Sequence, residues 1–228
     1  MAAKYYISCI ILVITLGLCN DGLGQVGLGS GAAVKKKTVA PSNLNTPSVL
    51  AVDSAKYKIR EKVLLLARKE VGVVERTGKN DHPRITVYHK SVSDWLANYR
   101  PAQPYCASFV NYIMKSAGVK VTSVPNPARA RDWFLVPSRT IMTQQTMRGN
   151  QRMMKLPERG AVVGYIFYGN AISHIEILDR IDLDEGYIYC VGANTSGKNA
   201  ANTVEREGQG VYFVKRKIKM FYKIADVI

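Results

Sequence analysis

The hydrophobic pattern of this chain changes period once, at Pro157, and that change restricts the fold more than any other feature. Before it, apolar residues recur at helical spacing. Ile59, Val63, Leu66, Ala67 and Val71 define one face of an amphipathic helix that Gly72 ends. A short amphipathic stretch runs from Ile85 to Trp95. A second long helix is predicted to begin at Cys106, just after the breakers Pro101 and Pro104, and to stop at Gly118. From Lys120 to about Leu156 the pattern is irregular, with one helical turn expected around Ala128 to Phe134. After Pro157 the chain reads as strands: Ala161 to Tyr168, Ser173 to Ile181, Gly186 to Val191, Gly210 to Lys217 and Lys219 to Ile224. Turn residues at Gly169-Asn170, Asp184-Glu185-Gly186 and Gly208 separate them. Helices first and strands after predict an α+β fold, N-terminal helices packed on a C-terminal antiparallel β-sheet.

The N-terminus stands apart. Lys4 precedes an apolar run from Tyr5 to Leu18, too short for a confident membrane span and suited to a signal-peptide core. Residues 1–24 are therefore expected to direct export to the periplasm or the exterior. Anchoring as a lipoprotein through Cys19 is a weaker alternative, because Leu18 is large where a small residue is expected. Residues 25–52, rich in Gly, Ser, Ala, Pro and Asn, read as a flexible linker, and residues 53–228 as the folded domain. No membrane span remains once the signal is cleaved, and a monomer is expected.

Removal of residues 1–24 leaves Cys106 and Cys190. In an exported protein these can form a disulfide. Alternatively Cys190, on an alternating strand, is a buried free thiol. The formal net charge of +15 sets up a field that attracts polyanions. Nucleic acid is not the expected partner of an exported chain. Peptidoglycan or another anionic wall polymer fits better, although a solvated basic surface explains the charge equally well.

Cys106 is the candidate nucleophile. A helix N-terminus favours thiolate over thiol, and its free N–H groups can stabilise an oxyanion beside Tyr105. Among three histidines, His82 and His89 precede the cysteine in polar or amphipathic context, whereas His174 lies on a strand. Alternation puts His174 and Glu176 on one face and Ile175 and Ile177 on the other. A helix covering the histidine's face would bring Cys106 to it. The Asn194 side chain, after the following strand, can accept from the ring and fix its tautomer, although Asn194-Thr195-Ser196-Gly197 also reads as a plain turn. No metal or other cofactor is expected, since no ligand-spaced His/Cys cluster occurs.

Four blocks in order resemble a known family. They are Ala67 to Asp81, containing Val71-Gly72-Val73-Val74-Glu75-Arg76-Thr77-Gly78-Lys79-Asn80-Asp81; Pro104-Tyr105-Cys106-Ala107-Ser108-Phe109-Val110; Ser173-His174-Ile175-Glu176; and Val191-Gly192-Ala193-Asn194-Thr195-Ser196 followed by Arg206-Glu207-Gly208-Gln209-Gly210-Val211-Tyr212. Together they are similar to the CHAP (cysteine, histidine-dependent amidohydrolase/peptidase) domains of bacterial and phage wall hydrolases, within the NlpC/P60-type papain superfamily. The resemblance implies a papain-like fold, catalysis by Cys106, His174 and Asn194, substrate contacts from Tyr105, Glu75 and Asn80, and cleavage of a peptidoglycan amide. That bond is either the muramoyl–alanine amide or one within the stem or cross-bridge. Two departures stand out: Tyr105 replaces the family's Trp, and Gly192 replaces the Glu of "vEGNT". Glu176, on the histidine's own strand, is expected to be poorly placed to supply that missing acid. Two competing readings follow, a wall-binding module that has lost hydrolysis and a protease acting on proteins.

Overall fold

A computed structural model describes residues 49–149, 156–196 and 209–228. The expected signal segment with Cys9 and Cys19, the linker up to residue 48, and Arg206 to Gly208 of the fourth block lie outside the described residues.

The first helix, α1 (Val49–Lys69), starts earlier than expected and takes in residues 49–52 of the stretch read as linker. Pro47 is the last helix breaker before it, and nothing from Val49 onward interrupts helical backbone. Val63, Leu64 and Ala67 of this helix are fully buried. Its buried Arg60 ties the helix to the C-terminal segment through Asp226 at 2.6 Å and also reaches Glu158 at 2.7 Å. The stretch from Ile85 to Trp95 is two helices, α2 (Pro83–Lys90) and α3 (Asp94–Asn98). Pro83 opens α2, whose N-cap His82 accepts the Arg84 N–H on its ring, and the Ser93 hydroxyl caps α3. His82 is therefore a capping residue.

Helix α4 (Cys106–Ala117) ends at Gly118, whose φ of 94° lies in the left-handed region open to glycine. Cys106, Ala107, Ser108, Phe109, Val110, Asn111, Ile113, Met114 and Ala117 are all buried, so α4 is the central helix. A fully buried Phe or Ile contributes about 1.5–3 kcal/mol by area removed from water.

The region read as irregular holds, besides the expected turn at Ala130–Phe134, a strand β1 (Thr140–Thr143) and a helix α5 (Gln144–Gly149). Thr143 and Thr146 cap each other at the start of α5, each backbone N–H donating to the other's hydroxyl. Strand β1 is short and pairs with the distant C-terminal strand, so it leaves little local pattern to read.

The remaining strands are β2 (Val162–Tyr165), β3 (His174–Asp182), β4 (Tyr187–Thr195), β5 (Gly210–Lys217) and β6 (Phe221–Ala225). They form a six-stranded antiparallel sheet in the order β1-β6-β2-β3-β4-β5. Ile175, Ile177, Val191, Ala193 and Val211 pack with α1 and α4 on one face. Tyr165, Leu178, Ile188, Cys190 and Phe221 form a second apolar cluster on the other. The chain is thus an α+β protein with helices against an antiparallel sheet. Among the described residues no helix is long and apolar enough to cross a membrane.

Candidate active site

Strand β3 begins at His174, so this side chain stands at the end of the sheet, where the first turn of α4 passes. The helix covers the face of Ile175 and Ile177. The His174 ring lies on the other face, stacked on Phe167 with centroids 5.3 Å apart. This corrects the expectation that the helix covers the histidine's face. Cys106 and His174 meet around the end of the strands, and their side chains are hydrogen-bonded. The backbone N–H groups of Ile175 and Ala107 also donate to the sulfur.

His174 Nε2 lies 3.1 Å from Glu176 Oε1, which leaves Nδ1 as the ring nitrogen for the sulfur. Glu176 is fully buried and is itself held by Arg216, whose Nε donates to the same oxygen at 2.8 Å. The Arg216 Nη2 bonds both Glu176 and, at 3.0 Å, the hydroxyl of Thr195. Its guanidinium lies over Phe167 at 4.8 Å and Tyr165 at 5.1 Å. The result is a buried chain of alternating partners: Cys106, His174, Glu176, Arg216.

The orienting group is therefore Glu176, where the sequence reading had Asn194. Residues two apart on a strand share a face, and a glutamate is long enough to fold back to its neighbour's ring. Space for it comes from the next strand, where Gly192 pairs directly with Glu176. A Cβ on Gly192 would stand 2.8 Å from Glu176 Oε1 and 3.1 Å from its Cδ. The glycine read as a lost acid is thus the condition for an acid arriving from the neighbouring strand. With both ring nitrogens of His174 engaged by Cys106 and Glu176, none is left for Asn194. Asn194 instead has φ 56°, a left-handed conformation that Asn tolerates, and it breaks the β4–β5 register between Ala193 and Thr195.

We expect Gly192→Ala to push the Glu176 carboxylate off the ring. Any reaction in which His174 serves Cys106 should slow by about 10²-fold, the scale of an ångström-sized misplacement. A variant that turns over like wild type in steady-state assays would show that Glu176 does not position the histidine.

The charges follow from this geometry. For Glu176, burial favours the neutral acid, but Arg216 foremost, and His174 with it, hold the carboxyl down at about 2. For His174, burial disfavours the imidazolium, yet the bonds to Cys106 and Glu176 outweigh it and push the ring up to about 9. For Cys106, burial raises the thiol, and the His174 bond with the two backbone N–H groups brings it below its ordinary value. Both shifts favour thiolate and imidazolium over the neutral pair. Any reaction that draws on the His174 proton should therefore slow above about pH 9. Stability follows the same groups. The His174 contribution is complete below about 6.5 and fades toward 9, while that of Glu176 is present above about 4.5 and fades toward 2. A pH–rate profile that keeps rising beyond pH 9 would contradict this pairing.

Cys106 and Cys190 are both free, not joined as a disulfide. Cys190 lies on the second face, 3.7 Å from the Tyr165 hydroxyl. Burial first, and the Glu176 carboxylate second, keep it a thiol. His89 is also structural: its ring nitrogens meet Ser108 Oγ at 3.0 Å and the Gln103 carbonyl at 3.1 Å, fixing the segment that leads into α4.

The expected substrate contacts fall elsewhere. Tyr105 is wholly buried, stacked on Tyr88, with its hydroxyl toward Glu75 and the Asn194 backbone N–H. Buried Glu75 accepts the Asn80 N–H at 2.9 Å, and Asn80, at φ 56°, donates its side-chain amide to the Ala102 carbonyl. Asp81 closes the same turn by accepting from Arg76 and Thr77. Glu75, Asn80 and Tyr105 thus form a buttress behind the nucleophile. A groove of about 650 Å³ reaches Cys106 and is lined by Trp95, Tyr99, Asn126, Arg129, Arg131 and Tyr168, among others.

Sequence reasoning missed Arg216 and misjudged Glu176. The one available signal was a His-x-Glu pair on one strand face with a glycine on the neighbouring strand, and using it requires the β3–β4 register. No family model, curated protein or solved structure matches the chain, so the arrangement of its own side chains carries the functional reading.

Proposed function

We propose that this chain is a papain-like, CHAP-type thiol hydrolase that cleaves an amide bond in peptidoglycan. The observation that carries the reading is the chain from Cys106 through His174 to Glu176 at the inner end of an open groove. The Cys106 thiolate attacks the amide carbon, and the carbonyl oxygen takes up the negative charge, accepting from free N–H groups at the start of α4. Collapse of the tetrahedral adduct breaks the C–N bond as His174 passes its Nδ1 proton to the leaving amine. A water then gives a proton to His174 and its oxygen to the thioester, which releases the acid and restores the thiol pair. Glu176 keeps the ring in place and balances its charge through both halves.

The +15 net charge and the apolar start expected to direct export both suit an anionic wall substrate. The alternative of a binding module that has lost hydrolysis drew on Gly192 and on the basic surface; Glu176, which occupies the space beside Gly192, speaks against the first of these. Incubating the protein with purified peptidoglycan should release new amine termini, and mass spectrometry of the soluble fragments would identify the bond. Tight sedimentation with the wall and no new termini would overturn the hydrolase reading. Digestion of casein but not of wall would move the substrate to proteins.

A further inference from the structure

The charged residues lining the groove to Cys106 are Arg129 and Arg131, with no acidic residue beside them in the lining. Their side chains are 52% and 55% exposed, and they share one carboxylate, that of buried Asp132. The separations are 4.0 Å for Arg129 and 3.7 Å for Arg131, too long for the bidentate contact a guanidinium makes with a carboxylate at full strength. One carboxylate against two guanidiniums leaves net positive charge and unused N–H donors at the groove wall.

The segment that carries them is held in shape. Asn126 accepts the Ala128 N–H on its side chain at 3.0 Å and the Arg129 N–H on its carbonyl at 2.9 Å. Trp133, 1% exposed, anchors the following turn and donates to the Pro127 carbonyl at 3.1 Å. Donors set on a braced turn lose less freedom when a ligand arrives.

We infer that the groove selects peptides carrying a free carboxylate close to the scissile amide over the same peptides with that carboxylate amidated. The inference rests on the reading of this groove as the substrate site of a peptidoglycan hydrolase, and it names the chemical form of wall peptide taken. Arg129 and Arg131 are specificity determinants here, and neither takes part in bond cleavage.

The test uses matched muramoyl stem peptides, free acid and amidated, with two readouts: kcat/KM on the wild-type protein and Kd by calorimetry on Cys106→Ala. A charge-assisted hydrogen bond corresponds to about a ten- to hundredfold preference for the free acid in both. Arg129→Gln/Arg131→Gln should erase that preference, mainly through KM. Lys58→Gln/Lys62→Gln removes the same charge from the exposed side of α1 and should keep it. Equal affinity for the two peptides, or loss of the preference in the lysine variant as well, would overturn the inference. Preferential binding of the free acid with no cleavage of either peptide would support the inference and overturn the hydrolase reading instead.

Discussion

Cys106→Ala is expected to lower amide cleavage by about 10⁴-fold or more, the scale at which loss of one member of a nucleophile–base pair acts. The sulfur is the one atom that would form a bond to substrate, and the other thiol among the described residues, Cys190, is a poor replacement: it is buried against Tyr165, and burial and the Glu176 carboxylate hold it as a thiol. The substitution is small. Cys106 sits at the first position of α4, and alanine is a good helix former. What it removes from the core is an ion-pair partner of His174, so the ring should return toward neutrality, since its raised pKa leans first on the Cys106 bond. The measurement is a zymogram with wall-embedded gel, alongside circular dichroism to check the fold. A folded variant that clears the gel like wild type would rule out the thiol mechanism.

The second large effect is expected at Glu176. Glu176→Gln keeps the shape and removes the charge between His174 and Arg216. The imidazolium loses one of the two partners that raise its pKa, so the alkaline limb of the rate profile should move to lower pH. Turnover should fall by about 10²–10⁴-fold as the resting pair shifts toward neutral thiol and imidazole. The fold also suffers, because Arg216, 3% exposed, is left as a buried charge without its counter-ion. Breaking such a pair from one side costs about 3–5 kcal/mol, read from a urea unfolding curve. Glu176→Gln/Arg216→Met separates the two effects. The methionine can pack against Tyr165 and Phe167, where the guanidinium now lies. It should recover most of the stability and none of the activity. A double variant that regained turnover would make the Glu176–Arg216 pair purely structural.

Much of the frame was legible without the fold. Periodicity separated the helical half from the strands, Gly118 marked the end of α4, and the starts of β3 and β5 fell within a residue of their expected places. The failures share a physical cause. Strand β1 escaped because it is short and stabilised by pairing with β6, more than eighty residues away in sequence at Thr140↔Ala225. Tyr105, Glu75 and Asn80 were expected as substrate contacts because they fall in the first two blocks of the family resemblance. In space Tyr105 and Glu75 are buried behind the nucleophile, and Asn80, partly buried, spends its N–H and side-chain amide on Glu75 and the Ala102 carbonyl. Asn194 was read as the orienter because it follows the histidine strand, but its left-handed backbone serves to bulge β4.

By itself the sequence determined which groups are available: a cysteine where a helix begins, a histidine where a strand begins, and a glutamate two residues on. These depend on local pattern, and local pattern survives in one dimension. Which acid holds the histidine was decided only by tertiary structure. That outcome depends on β3 and β4 pairing so that Gly192 faces Glu176, and on β5 bringing Arg216 in from forty residues away. Strand register is a non-local property, and a slip of one residue would turn Glu176 to the opposite face.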